Sequence, residues 1–258
     1  MQIGAMNNPM LNVVEEIELF ARLGFDFIDL TLEPEAAYAE TINVKDVRRS
    51  LERTKLGIVG HTAWYLPFAS PFAAMRACAI REMEKALHAF RELGALMVNL
   101  HPHTFVPLHS EEWVRDQNIA AIAHIQAVAK RLGLTVVVEN IPHFSRVLQL
   151  RPIFEAVPEV GFHLDVGHAN LDSPYNRTEE LVANYADRLM HVHVSDNKGG
   201  HDDLHLPLGV GNINWHAVVR VLKNAGYDGT ITVEVFAEDD EFLVMGAERI
   251  RRLWQEVT

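Results

Sequence analysis

The chain alternates between short β-branched segments and amphipathic helices, and four of the helices end in the same way. The segments ARLG, RELG, KRLG and KNAG end at Gly24, Gly94, Gly133 and Gly226. A glycine that follows a basic last turn is typical of a helix C-cap in the left-handed conformation. Each of these glycines is followed by a strand-like segment, so the repeating unit is a helix that returns to a strand.

The hydrophobic pattern predicts eight such units. We expect strands at residues 2–6, 25–33, 57–64, 95–103, 134–142, 160–168, 188–196 and 229–236. We expect helices at residues 13–23, 44–54, 71–93, 111–132, 150–157, 179–186, 215–225 and 240–256. This count and size predict an α/β fold, a single-domain (β/α)8 TIM barrel over residues 1–258. A doubly wound open sheet is the alternative, but the sequence lacks the Gly-rich phosphate loop that usually opens that fold.

Composition and charge narrow the possible functions. Cys78 is the only cysteine, so intrachain disulfides and multi-thiolate metal sites are excluded, and we expect a cytoplasmic protein. The sequence shows no apolar run of about 18 residues and no signal peptide, so we expect no membrane association. A net charge of −12 repels a phosphate backbone and disfavours nucleic acid as the partner. We expect a small-molecule partner, and the oligomeric state is left open.

Histidines and carboxylates recur at the predicted C-terminal ends of strands three to eight. In a parallel barrel these ends converge on one mouth. The candidates are His61, His101, Glu139, Asp165, His168, His193 and Glu234, followed by Asp203 and His205 after strand seven. One such residue alone is usually a hydrogen-bonded structural group, but burying four carboxylates together costs several kcal/mol per unpaired charge. The nine residues together predict a divalent metal site.

The donor types indicate which metals fit this site. Imidazoles and carboxylates without thiolates suit Mn, Zn, Co or Fe better than Mg. The number of ions stays open between one and three per chain. His163 and His191 share the direction of Asp165 and His193 but lie one layer deeper, so we expect them to be core or supporting residues.

These residues, with the motif DLHLPLGVGNI, resemble the xylose isomerase-like TIM barrel superfamily over nearly the whole sequence. That superfamily joins sugar and sugar phosphate isomerases and epimerases with the endonuclease IV family, also called AP endonuclease family 2. The resemblance to the isomerases implies one divalent metal held by Glu139, Asp165, His193 and Glu234. It also implies that the two glutamates exchange protons at carbon, and we include His168 among the candidate catalytic residues.

The resemblance to the endonuclease IV family implies a site for three metals. The first would be held by His61, His101 and Glu139, the second by Glu139, Asp165, His193 and Glu234, and the third by His168, Asp203 and His205. The chain departs from that family's pattern at four positions. Val166 and Gly167 stand where the repair enzymes usually carry Thr and Cys, and Leu204 and Leu206 replace an Arg and a polar residue.

Two functions therefore remain open. The first is a metal-dependent isomerase or epimerase of a sugar, sugar phosphate or related polyol that transfers protons at carbon. The second is a multinuclear phosphodiesterase acting on abasic-site DNA or a small phosphodiester. Charge and the missing Arg favour the first, and the nine filled positions favour the second. Specificity is expected from the loop residues Glu33, Trp64, His103, His143 and Lys198.

Overall fold

Eight parallel strands form a closed barrel in which β1 to β8 follow one another in chain order and β8 pairs with β1. The computed structural model describes residues 1–142 and 144–257, so the proposed specificity residue His143 lies outside the described residues. The barrel confirms the fold predicted from the sequence. Within the described residues, no helix combines the length and apolar character needed to cross a membrane.

An α-helix follows each strand, and these helices surround the barrel. The strands are β1 (Gln2–Met6), β2 (Phe27–Leu32), β3 (Gly57–Thr62), β4 (Met97–Leu100), β5 (Thr135–Glu139), β6 (Gly161–Asp165), β7 (Leu189–Val194) and β8 (Thr230–Val233). The helices are α1 (Val13–Arg22), α2 (Val44–Thr54), α3 (Ala73–Leu93), α4 (Glu111–Leu132), α5 (Val147–Ala156), α6 (Thr178–Tyr185), α7 (Trp215–Asn224) and α8 (Glu241–Glu256).

The register of the strands determines which side chains reach the mouth together. Thr31 of β2 lies opposite His61 of β3, and Asp165 of β6 lies opposite His193 of β7. Helix faces rich in Leu, Ile, Val and Phe pack on the outside of the barrel and form one continuous core with it. The apolar layer between strands and helices therefore holds the strand ends in place, and the polar side chains at those ends become a defined site.

The four glycines behave as the sequence predicts. Gly24, Gly94, Gly133 and Gly226 all have positive φ between 71° and 91°, where a side chain would be strained. Helix α5 is different, because it begins at Val147 and not at residue 150. The side chain of Gln149 accepts a hydrogen bond from the Arg146 backbone N–H and starts the helix earlier.

The first strand ends at the predicted residue, but the other seven predicted strands extend too far at their C-terminal ends. The strands that carry the site end at residues 62, 100, 139, 165, 194 and 233. His101 and Glu234 therefore lie directly after a strand, and His168 begins a short 3-10 turn, so the expectation that all three lie within strands is wrong. The chain turns at these points because side chains take over the backbone bonds; for example, Asp165 Oδ1 accepts from the His168 N–H.

Candidate metal centre

All nine predicted ligands lie at the C-terminal mouth of the barrel. Seven of them are buried, and the two that follow β7, Asp203 and His205, are more exposed. Several sets of three donor atoms from these residues lie within 4.8 Å of one another, which is close enough to share an ion. The nine residues form three adjoining groups of three residues each.

The first group joins β3, β4 and β5. His61 Nε2 lies 3.1 Å from His101 Nε2, which in turn lies 2.9 Å from Glu139 Oε2. Asn99, a residue missed in the sequence, donates to Glu139 Oε2 from its Nδ2 at 2.6 Å. It stands two residues before His101, and the side-chain alternation of a strand places both on the barrel interior. Two imidazole nitrogens and one carboxylate oxygen converge here.

The second group joins β6, β7 and β8. His193 Nδ1 lies 3.1 Å from Glu234 Oε2 and 3.9 Å from Asp165 Oδ2. Asp165 Oδ2 is buried and has no hydrogen-bond partner among the described residues. The side chain of Asn140 holds the strand at this point, because it bonds to both the backbone N–H and the carbonyl of Asp165 at 2.8 Å. An unpartnered buried carboxylate oxygen facing an imidazole fits a cation.

The third group joins the β6–α6 and β7–α7 loops. Asp203 Oδ2 lies 2.9 Å from His168 Nε2 and 3.1 Å from His205 Nε2. His168 Nδ1 lies 3.1 Å from Glu139 Oε1, so this imidazole connects the third group to the other two. His205 stacks on Phe236 with ring centroids 4.3 Å apart. The arrangement is compact enough for an ion but lies nearer to solvent.

The loop that carries Asp203 and His205 is held in place by the buried carboxylate of Asp196. Asp196 accepts hydrogen bonds from Gly209 N at 2.7 Å and from Trp215 Nε1 at 3.0 Å, and its backbone forms a two-bond bridge with Leu206. A Cβ on Gly211 would lie 2.0 Å from the carbonyl oxygen of Asn197, so only glycine permits this close approach. The loop is therefore held against the end of β7.

The carboxylates of the centre differ in the direction in which their pKa values are shifted. Burial opposes the charge of Glu139, but the imidazoles of His163 and His101 outweigh burial and hold its pKa well below its usual range. Glu234 behaves similarly, because His205 and His193 lower its pKa to about 2 despite burial. In contrast, burial and the charge of Glu234 raise the pKa of Asp165 to about 7.

The imidazoles of the centre also differ in the direction in which their pKa values are shifted. Burial lowers the pKa of His61 to about 4 and outweighs the opposing effect of Asp29. Burial also disfavours charge on His205, but Glu234 and Asp203 raise its pKa to about 9. Protonated imidazoles therefore balance the ionised carboxylates, and a metal ion would take over this balance as it displaces their protons.

The buried residues below the mouth include one acid that the sequence reading missed. Asp29 lies inside β2, fully buried, and is bonded by His191 and His193. His191 and His163 are also fully buried, in the deeper layer expected for them. Asp29 escaped notice because it lies in the middle of a strand and its partners are 162 and 164 residues away.

The proposed substrate residues surround the mouth at different depths. Trp64 is 69% exposed, and Lys198 is also exposed. Glu33 is half-buried and accepts a hydrogen bond from Tyr65 Oη at 2.7 Å. His103 Nδ1 accepts a bond from the backbone N–H of Ala69, so only its Nε2 is available to another partner.

The donor set fits a divalent cation. It combines imidazole nitrogens and carboxylate oxygens on several strands, and it contains the unpartnered Oδ2 of Asp165. Mn, Zn, Co and Fe accept such mixed ligands. Fold and site together define the class: a parallel eight-stranded barrel with candidate metal ligands at its C-terminal mouth.

Comparison with known proteins identifies the family. Residues 17–254 match the family described as xylose isomerase-like TIM barrel, and the chain belongs to that family. This agrees with the resemblance seen in the sequence.

Relatives cover most of the chain. An uncharacterized protein from Methanocaldococcus jannaschii is 30% identical over 233 residues, which is 86% of this chain and 79% of the relative. The L-ribulose-5-phosphate 3-epimerase of Escherichia coli is 21% identical over 248 residues, covering 88% of this chain and 84% of the enzyme. The crystal structure of a D-tagatose 3-epimerase-like protein matches with a TM-score of 0.85 and 29% identity, covering 100% of this chain and 98% of the other.

Proposed function

We propose that this protein is a divalent-metal-dependent epimerase or isomerase that acts on a sugar or sugar phosphate by proton transfer at carbon. The observation that carries the proposal is the placement of Glu139 and Glu234 in one buried mouth. Glu139 contacts the imidazole of His168, and Glu234 contacts that of His193. The strands β6 and β7, which carry Asp165 and His193, lie between β5 and β8 in the barrel. The epimerase names of two of the relatives support the same reaction class.

The four residues Glu139, Asp165, His193 and Glu234 would hold the ion. When bound, a divalent cation polarises the oxygens next to the reacting carbon and makes its proton more acidic. The low pKa values of Glu139 and Glu234 keep carboxylates available as general bases at neutral pH. Inversion at carbon requires one carboxylate to remove the proton from one face while the other returns a proton to the opposite face, so one of the two must gain a proton when the substrate binds.

The surroundings suit a small polar substrate. The acidic chain, with a net charge of −12, disfavours a polyanion but accepts a molecule with one phosphate or none. Trp64 offers an exposed apolar ring at the rim, and Lys198 a cation, so a sugar ring and a single phosphate could each find a partner. Glu33 and the free nitrogen of His103 add polar contacts that would orient hydroxyl groups.

The test is proton exchange with solvent. The protein is loaded with Mn, Co or Zn and incubated in deuterated buffer with a panel of ketoses and ketose phosphates. Deuterium should enter one carbon next to a carbonyl in the wild type. Glu139→Gln and Glu234→Gln should each abolish epimerisation and slow the exchange, since each removes one of the two proton carriers while keeping side-chain volume. Exchange at the wild-type rate in both variants would refute the assignment.

The third group of residues supports a second candidate, a multinuclear phosphodiesterase. His168 and His205 converge on one carboxylate oxygen of Asp203, and the contact of His168 with Glu139 provides the continuity that several metals would need. A duplex with an abasic site, incubated under the same conditions, tests this function. Incision of the duplex, with two or three metals per chain and no deuterium in any sugar, would favour it over the epimerase.

A further inference from the structure

A buried carboxylate of β2 lies behind the ligands at the mouth. Asp29 Oδ2 accepts hydrogen bonds from His193 Nε2 at 2.7 Å, from His191 Nε2 at 3.0 Å and from Thr232 Oγ1 at 2.8 Å. All four side chains have no solvent exposure. A carboxylate buried this deeply is unfavourable unless donors surround it, and here three donors converge on one oxygen.

The bond to Asp29 determines which nitrogen of His193 faces the centre. An ionised carboxylate only accepts hydrogen bonds, so the imidazole nitrogen that touches Asp29 must carry a proton. That nitrogen is Nε2, and the other, Nδ1, lies 3.1 Å from Glu234 Oε2 and 3.9 Å from Asp165 Oδ2. Asp29 therefore leaves Nδ1 as the nitrogen that can bind a metal, in the orientation that the second group requires.

The second oxygen of Asp29 faces an imidazole of the first group. Asp29 Oδ1 lies 3.9 Å from His61 Nδ1 and has no hydrogen-bond partner among the described residues. His61 Nδ1 contacts Met6 Sδ at 3.0 Å, and the other nitrogen of His61, Nε2, faces His101 at 3.1 Å. The rings of His61 and His193 are 5.3 Å apart between centroids, with the same carboxylate behind both. One acid thus lies behind an imidazole of each of two neighbouring ligand groups.

We propose that Asp29 is a positioning residue that fixes the ring orientation of His193 through its Oδ2, and so sets the affinity of the metal centre. The inference rests on the proposed function, because it requires the centre to bind a divalent ion. Carboxylates that hold a metal-binding histidine typically contribute about 10- to 100-fold to metal affinity.

The experiment compares metal binding in the wild type and in Asp29→Asn. Dissociation constants for Zn and Mn are measured by competition with a chelator, and the Co complex is recorded by absorption spectroscopy. Because the amide keeps the volume but can present N–H groups to His191 and His193, we expect Zn and Mn to bind roughly 10- to 100-fold more weakly. The Co spectrum should also change, since ligand geometry is altered. Neither readout depends on turnover.

Two further variants separate positioning from general damage to the fold. Glu16→Gln also converts a buried carboxylate to an amide, but it lies in α1 and outside the nine candidate ligands, so its Zn affinity should stay within about twofold of wild type. Thr232→Val removes one donor to Asp29 without changing an imidazole. It should weaken Zn binding less than Asp29→Asn, and it provides a test if Asp29→Asn fails to fold.

The outcomes distinguish this inference from the proposed function. A folded Asp29→Asn protein that binds Zn within twofold of wild type, with an unchanged Co spectrum, overturns the role of Asp29. If Asp29→Asn does not fold, wild-type Zn affinity in Thr232→Val overturns it. A wild-type protein that binds metal but exchanges no proton at carbon overturns the proposed reaction and leaves Asp29 to be judged by affinity. A wild-type protein that binds no divalent ion overturns both.

Discussion

Glu139 is the side chain on which the candidate ligands converge. Its Oε2 lies 2.9 Å from His101 Nε2 and 3.2 Å from His163 Nδ1, and its Oε1 lies 3.1 Å from His168 Nδ1. It therefore contacts the first group, the third group and the deeper histidine layer at once. A substitution of Glu139 therefore affects several neighbouring side chains at once.

Replacing Glu139 by Ala should be the most damaging single change in the centre. Removal of the carboxylate takes a ligand from either metal scheme and removes the negative charge that lies next to the imidazoles of His101, His163 and His168. We expect metal content, measured by elemental analysis, to fall below half of the wild-type value and turnover to be abolished. Full occupancy and a wild-type rate would show that the site has been placed wrongly.

Glu16 provides a prediction about pH at a distance from the centre. Burial raises its pKa from the ordinary 4.5 to about 7, although the backbone N–H of Asn8 lowers it in part. Between these two values the folded state holds a proton that the unfolded state has lost, so this contribution to stability is complete below about 4.5 and disappears as the pH rises through about 7.

In Glu16→Gln this contribution to the pH dependence should vanish. Denaturant unfolding at pH 5, 6, 7 and 8, compared between wild type and variant, isolates the difference. The stability of the variant relative to wild type should increase over this range. A constant difference across the range would mean that Glu16 does not titrate as its burial implies.

At the scale of single elements, the β7–α7 loop contrasts with the strands. The candidate ligands on β5, β6 and β7 are held by sheet register, whereas Asp203 and His205 depend on the bonds that Asp196 and Leu206 make across the loop. His205 itself has a positive φ of 43°, which is uncommon for a residue with a side chain. Two residues of the third group, Asp203 and His205, therefore depend on a loop, whereas Asp165 and His193 of the second group lie on strands of the barrel.

Asp203→Ala and His205→Ala test that separation. If only the ion held by Glu139, Asp165, His193 and Glu234 matters, both variants should retain nearly full occupancy of that ion. The main effect should then be a higher KM, with metal stoichiometry close to wild type. The loss of a distinct second or third ion together with all activity would support the multinuclear phosphodiesterase.

On the scale of the whole molecule, the sequence predicts the architecture better than the depth of each residue. The glycine caps and alternating segments identify eight units because each is a local feature. The ends of the strands are less visible, since His101 and Glu234 continue the alternation after the sheet has ended. Asp29 is invisible for another reason: its contacts with β7 exist only after the barrel closes. The roles of the nine residues remain predictions that the experiments above address.

Metal binding should stabilise the entire barrel. The donors come from β3 to β8, and an ion that binds only the folded state adds about 2.7 kcal/mol at 100 times its dissociation constant. For a chain of this size the melting temperature should rise by roughly 5–10 °C. Differential scanning calorimetry with and without excess Mn or Zn measures the shift, and EDTA should reverse it. Unchanged melting in both metals would argue against a site shared by so many strands.

The pairing of β8 with β1 has a consequence for how the protein is made. Glu234 follows β8 and is synthesised after the other eight candidate ligands, whereas His61 and His101 emerge first. A growing chain on the ribosome can expose several imidazoles but cannot assemble the four residues Glu139, Asp165, His193 and Glu234. Binding of the ion by all four residues must therefore follow the synthesis of the eighth strand. Ion binding would then mark the completion of the barrel.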